Sequence, residues 1–235
     1  MSDNVLIDHR LQPAWGFAAI IETPALNILF DTGRDGDILL SNMQQMLLSP
    51  ADVDLLFISH AHRDHIGGLD AFMAERPDVM LSLTDSALES IRHRLHRDIR
   101  YSPVSAPMQI ATNIYSTGEM SAGIPEQALI LETIEGLVIV TGCAHPGIEL
   151  MAAQAKKQSG REIYLLAGGF HLSGASEQRV KDLISQLKML DVQKVAPSHC
   201  TGRRARELFR DAWGEDFIES GLGAVIPLPP LAGEH

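Results

Sequence analysis

Ser59-His60-Ala61-His62-Arg63-Asp64-His65-Ile66-Gly67-Gly68 brings four side chains able to bind a metal into six consecutive positions. The stretch follows Asp54-Leu55-Leu56-Phe57-Ile58, an apolar run of the kind that makes a buried strand, and it precedes a Gly-Gly pair and a helical pattern. The cluster therefore belongs on a strand-to-helix loop. Residues two apart in extended backbone project to the same side, so His60 and His62 can grip one cation from a short span. Asp64 and His65 come after the chain bends and direct a carboxylate and an imidazole to a second position nearby. A dinuclear site is the expectation. Gly67-Gly68 is expected to supply the torsions of a tight turn and to bring the next helix close.

Upstream, Val5-Leu6-Ile7, Phe17 to Glu22 and Asn27-Ile28-Leu29-Phe30 read as an opening meander of strands. It ends at Asp31-Thr32-Gly33, where Asp31 is either a turn residue or, if its strand lies beside the metal loop, the carboxylate that orients a ligating histidine. Helical spacing of Ile38, Leu39, Met43, Met46 and Leu47 predicts a helix over 37–48.

Downstream, 67–75 reads as a helix and 79–83 as a strand, and 85–120 is less regular, beginning with a helix over 85–96. Arg92, Arg94, Arg97 and Arg100 stand out there in an acidic chain. They form either a solvated face or an insertion that offers guanidinium groups to a substrate phosphate or carboxylate. Beyond it one pattern recurs. A hairpin of 128–131 and 137–140 leads to Thr141-Gly142-Cys143-Ala144-His145-Pro146-Gly147 and a helix over 148–157. Strand 163–167 leads to Gly168-Gly169-Phe170-His171 and a helix over 176–190, and strand 194–197 leads to Ser198-His199-Cys200-Thr201-Gly202 and a helix over 203–213. Six of the ten histidines (60, 62, 65, 145, 171, 199) thus follow strands at glycine-bearing turns, where α/β architectures collect their chemistry. Residues 224–226 are expected to add an edge strand before a Pro-rich end.

The chain has 235 residues, 45% hydrophobic and 21% charged, which suits a single domain over 1–235 with 85–120 as a substrate-side insertion. No apolar run reaches membrane-spanning length and the first residues lack signal-peptide character, so a cytoplasmic location is expected. A formal net charge of −11 argues against nucleic-acid and membrane-surface partners but leaves room for a small anionic substrate at a cleft that holds cations. A homodimer is one assembly the composition permits. The two cysteines, Cys143 and Cys200, imply no disulfide framework and read first as small buried residues beside candidate ligands, with direct ligation the minority reading.

His60, His62, Asp64 and His65 match the H-x-H-x-D-H signature, and from Asp31-Thr32-Gly33 to His199 the chain resembles the metallo-β-lactamase superfamily. Phe30-Asp31-Thr32-Gly33, Pro125-Glu126-Gln127, Thr141 to Gly147, Gly168 to Leu172 and His199 to Gly202 are similar to its dihydropterin ribofuranosylaminobenzene 5'-phosphate synthase-like branch. The resemblance implies an α/β (α+β) fold, an αββα sandwich of two mixed sheets flanked by helices. It implies two divalent ions, zinc first with Mn, Fe or Ni as alternatives. His60, His62 and His145 would hold one ion, and Asp64, His65 and His199 the other. The chain departs from many members in having no carboxylate over 167–171, where a bridging aspartate is usual.

On this reading the protein is a metal-dependent hydrolase acting on a phosphoester, as a phosphodiesterase does, or on another small anionic ester. Asp64 and His171 are the catalytic candidates, Asp64 positioning water and His171 protonating the leaving group. His171, Arg92, Arg94 and Arg97 are the candidates for substrate binding. A transferase that joins a pterin to a ribosyl-aminobenzene phosphate is the second reading. A non-catalytic, metal-binding ligand sensor is the third.

Overall fold

The computed structural model of the protein describes residues 1–95 and 99–233. Its contacts divide the chain into two compact units, residues 1–106 with 221–224, and residues 107–220 with the chain from 225 onward. Each is built on one mixed sheet flanked by helices, the class expected from the sequence.

In the first unit the elements run β1 (Ala19–Glu22), β2 (Asn27–Phe30), α1 (Gly36–Gln45), β3 (Leu55–Ile58), α2 (Arg63–Ile66), α3 (Leu69–Glu75), β4 (Met80–Thr84), α4 (Asp85–Ile91) and β5 (Tyr101–Val104). The strands lie in the order β1-β2-β3-β4-β5, antiparallel at the first pair and parallel thereafter. Every residue of β3 is buried, as a central parallel strand covered on both faces requires. Leu29, Leu56, Ile58, Leu81 and Leu83 form the core with Leu39 and Met43 of α1 and Leu69 and Phe72 of α3. Helix α1 starts where the Asp35 carboxylate accepts the Ile38 N–H, a side-chain cap.

Gly67 and Gly68 meet the expectation of close approach but not that of special torsions. Both have ordinary helical torsions, with φ of −63° and −82°. A Cβ at Gly67 would stand 2.0 Å from the Arg34 carbonyl oxygen, and one at Gly68 2.4 Å from that of Thr32. Close backbone approach, not torsion, demands glycine here. The opening meander is also shorter than expected. Residues 5–7 form no strand: the Ile7 N–H donates to the Leu222 carbonyl and the Leu222 N–H to that of Val5, which makes one isolated parallel bridge at Leu6, and the next N–H, of Asp8, turns back to the same Leu222 carbonyl.

The second unit runs β6 (Met108–Ala111), β7 (Ile114–Ser116), β8 (Leu129–Thr133), β9 (Gly136–Thr141), α5 (Ile148–Ser159), β10 (Ile163–Gly169), α6 (Glu177–Met189), β11 (Lys194–Ser198) and α7 (Arg203–Trp213). The sheet order is β11-β10-β9-β8-β7-β6. Strands β9, β10 and β11 are parallel, while β6 to β9 pair antiparallel. The core joins Ile130, Leu137 and Ile139 of the sheet to Ile148 and Met151 of α5, Leu183 of α6 and Phe209 of α7. Residues 224–226 add no strand. Val225 is largely exposed, and the tail returns to the sheet only through a single bridge from Leu231 to Thr133. The stretch 85–120 supplies α4 and β5 to the first unit and β6 and β7 to the second.

Candidate functional site

Strands β2 and β3 are parallel and in register, Phe30 opposite Phe57, so the chain leaves both at the same edge. Asp31 follows one strand and Ser59 the other. Asp31 adopts a left-handed conformation, φ 55°, which a short polar side chain tolerates better than most. Its carboxylate accepts the Ser59 N–H at 2.8 Å, the Ser59 hydroxyl at 2.7 Å and Nδ1 of His65 at 2.7 Å. All three residues are fully buried.

These contacts fix two tautomers. An ionised carboxylate only accepts, so His65 carries its proton on Nδ1 and its lone pair on Nε2. Ser59 has one hydroxyl proton and gives it to Asp31. Its 2.9 Å contact with Nδ1 of His60 must therefore have the imidazole donating, which leaves the His60 lone pair on Nε2 as well. The ring of His60 lies with its centroid 4.7 Å from that of His62 and 4.1 Å from that of His65. Asp64 Oδ2 lies 3.8 Å from Nε2 of His65 and accepts the indole N–H of the half-exposed Trp15 at 2.9 Å. A carboxylate oxygen facing a nitrogen lone pair is repulsive unless a cation joins them. Imidazole nitrogen and carboxylate oxygen together suit a divalent transition ion, so the residues fit the expected metal.

In the second unit the parallel strands β9, β10 and β11 end together, with Thr141 paired to Gly168 and Gly169 to Ser198. The segments carrying Cys143 and His145, His171, and His199 and Cys200 leave from that shared edge. Glu126, fully buried, organises the first of them. One carboxylate oxygen accepts the N–H groups of Gly142, Cys143 and Ala144 at 3.1, 2.9 and 2.9 Å. The other accepts the His145 N–H at 3.0 Å and its Nδ1 at 2.8 Å. His145 is thereby held with its proton on Nδ1 and its lone pair on Nε2, the same tautomer as His60 and His65.

Ala144, His171 and His199 all have left-handed torsions, with φ of 58°, 50° and 48°. Such strain in non-glycine residues collects where a fold imposes geometry for function. The His145 and His171 rings lie 4.5 Å apart. Cys200 Sγ lies 3.6 Å from the Cys143 carbonyl oxygen. Hydrogen bonds with Cys143 and then His171 pull the Cys200 thiol down to about 5 against the opposing effect of burial, and the bond to Cys200 raises His171.

The arginines are placed less suggestively. Arg94 donates to Asp70 at 3.1 Å and to the Ile66 carbonyl at 3.1 Å, so its guanidinium supports the helix behind the metal loop. Arg92 is exposed on a single 3-10 turn, and Arg97 lies outside the described residues. Trp15 and the role of Glu126 escaped the sequence reading. A lone acidic residue opening a buried strand, as in Pro125-Glu126-Gln127-Ala128, was the available signal for the second.

The family model of the metallo-β-lactamase superfamily matches residues 16–146. The chain belongs to the metallo-β-lactamase superfamily. The matched span of this superfamily member takes in His60, His62, Asp64, His65 and His145, while His171 and His199 lie beyond it. The chain is 29% identical to the 7,8-dihydropterin-6-methyl-4-(beta-D-ribofuranosyl)-aminobenzene-5'-phosphate synthase of Methanocaldococcus jannaschii, over 91% of both chains. The crystal structure of a metal-dependent hydrolase of the beta-lactamase superfamily superposes with a TM-score of 0.82 at 24% identity, over 97% of both chains. Human tRNase Z, short form, superposes with a TM-score of 0.62 at 12% identity, over 91% of this chain and 93% of that one. These likenesses establish the metallo-β-lactamase fold. Among the described residues, no helix is long and apolar enough to cross a membrane.

Proposed function

We propose that this superfamily member is a metal-dependent hydrolase of a small phosphoester or related anionic ester. The observation that carries the reading is the hydrogen-bond chain His65–Asp31–Ser59–His60, which presets two buried imidazoles with Nε2 lone pairs, that of His65 lying 3.8 Å from the Asp64 carboxylate. The ligands would be the set the family resemblance implies, His60, His62, Asp64, His65, His145 and His199. Ions held there, zinc first among the candidates, supply Lewis acidity and bring the pKa of a coordinated water toward neutrality. Asp31 keeps His65 and His60 in the ligating tautomer, and Glu126 does the same for His145. Trp15 fixes one oxygen of Asp64, so that carboxylate is oriented before any ligand arrives.

A second reading has an observation of its own. The 29% identity to the methanogen synthase spans nearly the whole of both chains, which favours a transferase acting on a related pterin and phosphate substrate. Elemental analysis of protein purified without added metal, coupled to turnover of bis-p-nitrophenyl phosphate, p-nitrophenyl phosphate and a simple lactone, tests the first reading. About two ions per chain and metal-dependent hydrolysis are expected. Metal-loaded protein that hydrolyses none of these, yet condenses a dihydropterin with a ribosyl-aminobenzene phosphate, would replace the first reading by the second.

A further inference from the structure

Cys143, His171 and Cys200 come from the three parallel strand ends of the second unit, and none belongs to the ligand set that the family resemblance implies. One ligand atom from each lies within 4.8 Å of the other two. Around a tetrahedral zinc-sized ion with metal–sulfur bonds of ~2.3 Å and metal–nitrogen bonds of ~2.0 Å, ligand atoms stand ~3.3–3.8 Å apart. The three side chains are therefore within about 1 Å of a closed ligand triangle.

The backbone is shaped to permit this convergence. A Cβ at Gly169 would meet the Gly142 carbonyl oxygen at 2.4 Å and Cys200 Sγ at 2.6 Å, so glycine there leaves the room the thiol occupies. The Leu172 and Ser173 N–H groups both donate to the Cys200 carbonyl, at 3.1 and 3.0 Å, which ties the segment after β10 to the segment after β11. His171 is turned by its left-handed φ of 50° and remains exposed, while both thiols are buried and neither is in a disulfide. This gives two soft ligands at the base and one imidazole at the solvent side, where an ion can enter.

We propose that Cys143, His171 and Cys200 form a further metal site adjoining the implied ligand set, selective for a thiophilic divalent ion such as zinc or ferrous iron, with the fourth position left to water or substrate. On binding, each thiol gives its proton to solvent, and the two thiolates neutralise the dication. His171 is then a ligand rather than the proton donor expected from the sequence. The trio shares no residue with that ligand set, and its Cys143 Sγ also lies within 4.8 Å of ligand atoms of His145 and of His199, so the two sites adjoin.

The test is an anaerobic Co(II) titration of the full chain, stripped of metal by a chelator and kept reduced. Sulfur-to-cobalt charge transfer gives near-ultraviolet absorption that histidine and carboxylate ligands do not. The band is expected in the wild type, weakened in Cys143→Ser and in Cys200→Ser, and lost when both are changed. His171→Ala should keep the band and weaken Co(II) binding on the order of tenfold or more. His62→Ala, outside the trio, should leave the band intact. Wild-type protein that binds Co(II) without the band overturns the site, whether or not it hydrolyses esters. The band with no turnover leaves the site standing and removes the hydrolase reading. If His171→Ala binds Co(II) as tightly as the wild type, the three-ligand site is wrong.

Discussion

Glu126→Gln keeps the shape of the side chain and removes its charge, and its effect can be worked out from the donors around it. Three N–H groups, of Gly142, Cys143 and Ala144, converge on one oxygen, and the His145 N–H and Nδ1–H on the other. A glutamine has one acceptor end and one donor end. Its oxygen is expected to face the three N–H groups, which places its NH2 against His145. The imidazole can answer by moving its proton to Nε2 and accepting at Nδ1, but the His145 backbone N–H is left facing a donor. That buried orphan costs about 1–3 kcal/mol, and the three remaining bonds lose the charge-assisted part of their strength. The sum is a loss of about 3 kcal/mol, or roughly 6–12 °C in Tm for a chain of this size. Fluorescence of the buried Trp213 during urea unfolding, in a Trp15→Phe background, reports the second unit. Side-chain 15N NMR reports the tautomer. A variant within about 1 kcal/mol of its parent, with His145 still protonated at Nδ1, would refute the argument.

Asp31→Ala strands the Ser59 N–H, its hydroxyl and the His65 Nδ1–H, all of residues that are fully buried. It should destabilise the first unit by about 3–5 kcal/mol, read by chemical denaturation with Trp15 as reporter. Gly169→Ala drives a methyl into the Gly142 carbonyl oxygen and should cost about 1–3 kcal/mol, checked by a circular-dichroism melt. Trp15→Phe keeps the aromatic ring but removes the donor to Asp64. Stability should change by less than about 1 kcal/mol, while zinc affinity, measured by competition with a chromophoric chelator, should fall on the order of tenfold. Arg94→Ala, at a half-exposed pair with Asp70, should alter stability by at most about 1 kcal/mol in the same urea assay.

Much of this was legible in the chain itself. Apolar runs of strand length followed by glycine-bearing turns placed β3, β9, β10 and β11, and the dense run from His60 to His65 marked the metal-binding loop, because periodicity and ligand spacing are local properties. Helices α5, α6 and α7 were equally readable from their spacing. What the sequence could not decide was anything that depends on which strand ends lie side by side. Asp31 was either a turn residue or a partner for a histidine until the parallel register of β2 and β3 set it against Ser59 and His65. Glu126 lies 19 residues from His145, and no spacing rule links them. Gly67 looked like a torsional requirement and proved to be a steric one, since only the folded chain brings the Arg34 carbonyl against it. Cys143 and Cys200, 57 residues apart, read as two separate small core residues until the parallel edge of β9, β10 and β11 gathered them around His171. Local chemistry writes the ligands into the sequence; the tautomers and the thiol cluster exist only because long-range strand pairing fixes which buried groups must share protons.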